Sequence, residues 1–136
     1  MSKKKDVVVK IGKKKSAKAR ATIKKGKGEI KINSKPLNVW GSTYERGIIA
    51  DPFSLIKDKI KDLDIKVKTW GGGKVSQAAA ARVAIARGVV DWTNDKKIKK
   101  ILTNYDDKIL SGDARQREPN KPNRSSPRAR KQKSYR

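Results

Sequence analysis

DIKVKTWGGGKVSQAAAARVAIARGVVD, residues 64–91, changes its period in the middle. Before the three glycines, Ile65, Val67 and Thr69 alternate with Lys66, Lys68 and Trp70, the period-two pattern of a strand with one buried face. After them, Ala79, Val83, Ala86 and Val90 recur at offsets 0, 4, 7 and 11. That is the stripe of a helix over residues 77–91, with Ser76 as its cap. A stripe built of alanines lets a helix lie very close to a sheet. A strand, a glycine break and an alanine-faced helix therefore make the centre of an α+β fold.

Upstream, Val7, Val9 and Ile11 in DVVVKIG (residues 6–12) share one face of a β-branched strand. In SAKARATIK (16–24), Ala17, Ala19, Ala21 and Ile23 oppose Lys18, Arg20 and Thr22, a half-buried strand with a cationic outer face. Lys25-Gly26-Lys27-Gly28 reads as a turn and residues 29–33 as another strand, so these two are expected to pair as an antiparallel hairpin. Asn33-Ser34-Lys35-Pro36 is the next turn. Residues 43–50 read as a short helix capped by Ser42 or Thr43. Asp51-Pro52 then starts another, with Phe53, Ile56 and Ile60 on one stripe. Downstream, Asn94 is expected to cap a helix in which Ile98, Ile101 and Leu102 face inward and Lys96, Lys97, Lys99 and Lys100 face out. Strands come early and helices late, which favours a small sheet covered on one face.

Charge divides the chain into three. Lysine and arginine number 37 against 13 acids, a net charge of +24 on 136 residues. Residues 1–28 hold 12 basic and 1 acidic side chains, residues 29–110 hold 16 and 10, and residues 111–136 hold 9 and 2. The expected organisation is a basic arm (1–5), a folded body (6–110) and a basic tail (111–136). The tail carries three of the chain's five prolines and three apolar side chains, Ala114, Ala129 and Tyr135, too few to build a core. Such an excess of positive charge calls for a polyanionic partner.

Several chemistries are excluded. With no Cys and no His, the chain lacks disulfides, thiolate nucleophiles, His bases and the usual zinc ligand sets. Gly71–Gln77 fails the nucleotide-loop pattern twice, because Lys68 stands at the first glycine position and Val75 where a hydroxyl is needed. Asp58, Asp62 and Asp64 alternate with lysines as a charge-balanced surface does. No enzyme, cofactor or metal is expected. No apolar run reaches the length of a membrane span, so a soluble, cytoplasmic protein is expected. Lys74 remains as a phosphate contact at a helix start. Arg82 and Arg87, which interrupt the alanine helix, are either RNA contacts or ordinary solvent-facing arginines. Trp40, Trp70 and Trp92 read as core or edge packing.

Three blocks in order carry a resemblance: GKKKSAKARATIKKGKGEIKINSKPL (residues 12–37), VKTWGGGKVSQAAAARVAIARGVV (67–90) and the closing QKSYR (132–136). Together they resemble the ninth protein of the small ribosomal subunit, in its archaeal and eukaryotic form. Ser34 and Ser76 stand where that family usually has glycine. The resemblance implies a four-stranded mixed sheet with helices on one face, as in the second domain of the fifth small-subunit protein. It implies a seat in the subunit head on small-subunit rRNA, beside other head proteins, with the tail reaching the anticodon stem-loop of peptidyl-site tRNA. On this footing the rRNA-binding cations are Lys3, Lys4 and Lys5 in the arm; Lys13, Lys14, Lys15, Lys18, Arg20, Lys25 and Lys27 in the first strands; Lys74, Arg82 and Arg87 in the long helix; and Arg115, Arg117, Arg124 and Arg128 in the tail. Arg130, Lys131, Lys133, Tyr135 and Arg136 are the residues implied at the tRNA. A free nucleic-acid-binding protein, chromatin-like or an RNA chaperone, has the same composition; only co-sedimentation with small subunits separates the two.

Overall fold

The structure, a computed structural model, describes residues 6–112, 118–123 and 126–128. Five strands, β1 (Val7–Lys14), β2 (Ala17–Lys25), β3 (Ile30–Ile32), β4 (Lys35–Pro36) and β5 (Leu63–Trp70), form one mixed sheet in the order β1-β2-β5-β3-β4. The helices are α1 (Thr43–Ser54), α2 (Lys57–Ile60), α3 (Lys74–Thr93) and α4 (Lys96–Tyr105). Helix α3 lies across β1, β2 and β5, and α1 and α4 pack against α3. The α+β class with helices on one face is as expected, with five strands in place of four. The fifth is the two-residue β4, which folds back on β3 through Asn33 and Ser34. Both turn residues have positive φ, 51° and 69°, the requirement of a type I′ hairpin turn. Ser34 thus holds a conformation that glycine adopts without cost.

Strand order departs from the alternation-based expectation. Strands β2 and β3 do not form a hairpin: β5 enters between them, antiparallel to β2 and parallel to β3. The connection at residues 26–29 is drawn past the start of β5 by hydrogen bonds. Gly26 N donates to Asp62 O (2.8 Å), and Lys27 N and Glu29 N donate to Asp64 Oδ1 (2.9 and 3.3 Å). Ile65 N then donates to Glu29 O at 2.9 Å, opening the parallel ladder. At the other end of that ladder, Asn33 Nδ2 donates to Thr69 Oγ1 and Thr69 N donates to Asn33 Oδ1, both at 2.9 Å.

Helix α3 is buried on more than the stripe at Ala79, Val83, Ala86 and Val90. Ala78, Ala80, Ala81, Ala84, Ile85, Gly88 and Val89 are buried as well, while Ala79 and Val90 are half-buried. The helix is covered on one side by the sheet and on others by α1 and α4, so a single stripe underestimates its buried surface. Its approach to β1 is close enough to require glycine. A Cβ at Gly12 would lie 2.2 Å from Ala80 O and 2.6 Å from Ala84 N. Ile23, Ile32, Ile65, Ile85, Val89 and Leu102 are fully buried in the core between sheet and helices.

The helix ends also differ from the simplest reading. Ser42 caps α1 in a capping box, with Ser42 N donating to Glu45 Oε2 at 2.7 Å. Helix α1 runs through Asp51 and Pro52 without a break. Pro52 falls in its last turn, where its lack of an N–H removes one helix hydrogen bond, and it is buried in the core. Gly73, not Ser76, precedes α3, and Gln77 N closes the first turn on Gly73 O at 2.9 Å. Asn94 ends α3 in a left-handed conformation, and Asp95 caps α4 by accepting from Lys97 N at 2.8 Å. Ile98 and Leu102 are buried, but Ile101 is exposed.

Two expectations follow. Gly12→Ala pushes β1 off α3 and lowers stability by about 1–3 kcal/mol, whereas Gly47→Ala, at a half-buried helix position where the nearest atom to an added Cβ is 3.7 Å away, raises it by about 0.5–1 kcal/mol. Thermal unfolding of both variants reads the opposite signs directly. The second concerns Asp64, whose carboxyl is held below its ordinary value first by the Lys27 N–H and then by the Glu29 N–H. A carboxyl depressed on folding stabilises the protein above its unfolded value and loses that stabilisation as pH falls through the lower folded value. The urea midpoint should therefore decline below about pH 4, and Asp64→Asn should lower it near neutrality and flatten that decline. An unaltered acid limb in the variant would assign it to other carboxylates.

Candidate nucleic-acid interface

With α3 on one face, the other face of the sheet is open, and the strand registers determine what it presents. One row across it is Lys13, Lys18 and Trp70; the next is Ile11, Arg20 and Lys68; a third is Val9, Thr22, Lys66 and Lys31; a fourth is Val7, Lys24 and Asp64. Neighbouring strands lie about 4.8 Å apart and successive rows about 6.6 Å apart. Three like-charged pairs therefore stand directly opposite one another: Lys13 with Lys18, Arg20 with Lys68, and Lys31 with Lys66. Like charges in that position destabilise a sheet. Little nearby acid offsets them. Glu29 reaches Lys31 at 3.7 Å, and the Asp64 carboxylate is engaged by the Lys27 and Glu29 amides. Arg20, Lys31, Lys66 and Lys68, with Asn33 and Ser34, line an open concavity of about 580 Å³.

Beside the cations runs an apolar strip. Val7, Val9 and Ile11 share a face as their alternation predicts, but it is the open face, and all three are exposed. Trp70 ends the Lys66–Lys68 column and is 43% exposed, so it is no core residue; Trp40 is buried and Trp92 half-buried.

The cations chosen from sequence do not form one cluster. Lys18 and Arg20 lie on the open face. Lys13 joins them, half-buried, and Lys15 occupies the β1–β2 turn with φ 52°. Lys14 is paired in register with buried Ala17, on the helix side of the sheet. Lys25 and Lys27 are exposed at the far end of β2, about 23 Å along the strand from Lys18. Lys74 is exposed at the start of α3. Arg82 and Arg87 are half-buried and bonded within the body, so they are not simply solvent-facing. Arg82 Nη2 meets Asp106 Oδ2 at 3.0 Å. Arg87 donates to Leu110 O (2.6 Å), Ile11 O (2.8 Å) and Ser111 O (2.7 Å), tying the end of the body to β1. Arg128 forms a bidentate pair with Glu118, with Nη2 to Oε1 at 2.7 Å. Lys3, Lys4, Lys5, Arg115, Arg117, Arg124, Arg130, Lys131, Lys133, Tyr135 and Arg136 lie outside the described residues, as does most of the segment expected to be extended.

Sequence reasoning missed Lys31, Lys66 and Lys68. The alternation of residues 64–70 did put Lys66, Lys68 and Trp70 on one face; their convergence with Arg20 and Lys31 needed the register. Among the described residues no cluster of three or more acidic side chains could hold a metal, and no helix is long and apolar enough to cross a membrane. Two of the three glycines approach the β1–β2 turn closely: a Cβ at Gly71 would lie 2.7 Å from Ser16 O and one at Gly72 3.0 Å from Ala17 N, while one at Gly73 would meet nothing within 4 Å.

Comparison with known proteins identifies relatives along nearly the whole chain. The sequence profile of the family described as ribosomal protein S9/S16 matches residues 12–136. The chain is 44% identical over 131 residues to small ribosomal subunit protein uS9 of Thermoplasma volcanium, covering 96% of this chain and 99% of that one. It is 46% identical over 130 residues to the uS9 of Desulfurococcus amylolyticus (96% and 93%), and 42% over 132 residues to that of Methanococcus maripaludis (96% and 98%). A cationic open sheet, basic ends and relatedness over nearly the whole length converge: the chain belongs to the ribosomal protein S9/S16 family.

Proposed function

We propose that this protein binds small-subunit rRNA through the open face of its sheet and its basic ends, and that its tail touches peptidyl-site tRNA. Family membership makes it a structural constituent of the small subunit of the cytoplasmic ribosome, with a role in translation. The observation that carries the rRNA reading is the set of like-charged pairs on the open face. In the isolated chain these pairs oppose folding; a phosphodiester backbone laid across them turns repulsion into attraction and releases condensed counterions. Lys18, Arg20, Lys31, Lys66 and Lys68 hold the backbone there. Lys15, Lys25, Lys27 and Lys74 extend the contact around the rim of the body, and Lys3, Lys4 and Lys5 do so from the arm. Head proteins of the same subunit are the neighbours.

The tail reading rests on composition and on the family. A segment with nine cations and two acids has no core to lose and can order along RNA as its charges replace counterions. Arginine suits it, because a planar fork holds a phosphate with two hydrogen bonds. Contacts at tRNA have to tolerate every tRNA, so Arg130, Lys131, Lys133 and Arg136 address backbone phosphates and not base edges. Tyr135 supplies the single aromatic ring of that end.

The sheet reading has an unusual signature. Lys68→Gln, by removing one side of the Arg20–Lys68 pair, should raise the melting temperature of the isolated protein while weakening its binding to small-subunit rRNA. The slope of log K against log salt should become shallower by about 0.7–0.9. Loss of stability, or unchanged affinity, would refute the reading. For the tail, deleting residues 134–136 should leave subunit assembly intact and reduce affinity for a tRNA anticodon stem-loop by about 1–3 kcal/mol, as for lost charge-assisted hydrogen bonds. Purified truncated subunits provide the measurement, and defective assembly with normal tRNA affinity would make the tail an rRNA contact only.

A further inference from the structure

The indole of Trp70 is unusually placed for a tryptophan. It is 43% exposed, stands on the open face at the end of the Lys66–Lys68 column, and is paired in register with Lys18. The residues that follow it, Gly71–Gly73, carry no side chains. Gly71 and Gly72 lie close against the backbone of Ser16 and Ala17, and none of the three has a side chain to lay over the ring. A large apolar surface is thus left uncovered among cations, beside the concavity lined by Arg20, Lys31, Lys66 and Lys68.

We propose that Trp70 is a stacking platform for an unpaired nucleotide of the bound RNA, whose flanking phosphates sit in that concavity. The inference rests on the reading of the open face as an RNA-binding surface and narrows it to a class of RNA. The ligand has to bring both a flat apolar surface and negative charge, since the rows around Trp70 are cationic and the one acid in them, Asp64, lies at the far end of the sheet and is engaged by backbone amides. A nucleotide meets both needs. A protein partner would have to bring an apolar side chain inside an acidic rim. The base has to be unpaired, because in a duplex each base face is already covered by its neighbours; splayed nucleotides in loops and bulges stack on aromatic side chains, and on sheet faces in particular.

The test uses the full chain with two probes of equal charge, a single-stranded oligouridylate and a fully paired RNA duplex. Titration with the single strand should quench the part of the tryptophan fluorescence that is absent in Trp70→Phe. Trp70→Ala should lower single-strand affinity by about 5- to 100-fold, the range for losing one stacked base. Trp70→Phe, which keeps an aromatic face, should recover most of it. No charge is removed, so the salt slope should stay as in the parent, and duplex affinity should be unchanged. An equal loss for both probes, or none for either, would overturn the inference and leave Trp70 to a protein neighbour. The salt slope separates this failure from the wider one: if Lys66→Gln and Lys68→Gln leave the slope unaltered, the open face does not bind RNA at all.

Discussion

The fold depends on how closely one helix can approach one sheet. Helix α3 settles on β1, β2 and β5 with alanines and glycines at the contact, and at Gly12 the separation leaves no room for even a methyl group. Close packing of this kind excludes water from a thin layer, and dispersion and burial are then gained over the whole length of a long helix. The chain is small, so this layer is most of its core. Everything else is arranged around it: α1 and α4 cover the flanks of α3, and Arg87 ties the end of the body back to β1.

Because most apolar side chains of β2, β3 and β5 are drawn to the helix side, their alternating partners have only one place to go. Arg20, Lys31, Lys66 and Lys68 end up on the same open surface, in opposed pairs that the isolated sheet would be better without. A domain that keeps such pairs is tuned to a bound state more than to the free one. The same logic separates the two kinds of arginine in this chain. Arg82 and Arg87 are held by the protein's own oxygens and serve the body, while Arg20 faces outward without an acidic partner in its row.

The functional surface is therefore graded. The sheet offers a fixed lattice of charge with rows about 6.6 Å apart, bordered by Trp70 and by the exposed strip of Val7, Val9 and Ile11. The basic ends add three lysines in residues 1–5 and nine cations in residues 111–136. Under the proposed function, a fixed lattice would select the shape of an RNA backbone, and the cations of the ends would add affinity by counterion release. A ribosomal protein has use for both.

Much of this was legible in the sequence alone. The two-residue period of residues 17–23 and 64–70, the alanine stripe after the triple glycine, the basic ends and the absence of Cys and His determined an α+β body with a polyanionic partner, and Lys18 and Arg20 as outward cations. Local rules reached that far because side-chain alternation and capping chemistry are properties of neighbouring residues. They did not reach the insertion of β5 between β2 and β3, since an alternating strand fits beside any other; there Asp62 O and Asp64 Oδ1 accept hydrogen bonds from the N–H groups of a loop some 35 residues away. Nor did they reveal that Val7, Val9 and Ile11 would be left outside, that Pro52 would sit within a continuous helix, or that Arg82 and Arg87 would turn inward. Alternation tells which residues share a face. Which face is covered, and which charges come to stand opposite one another, is decided by the register of strands far apart in the chain, and that exists only in the folded structure.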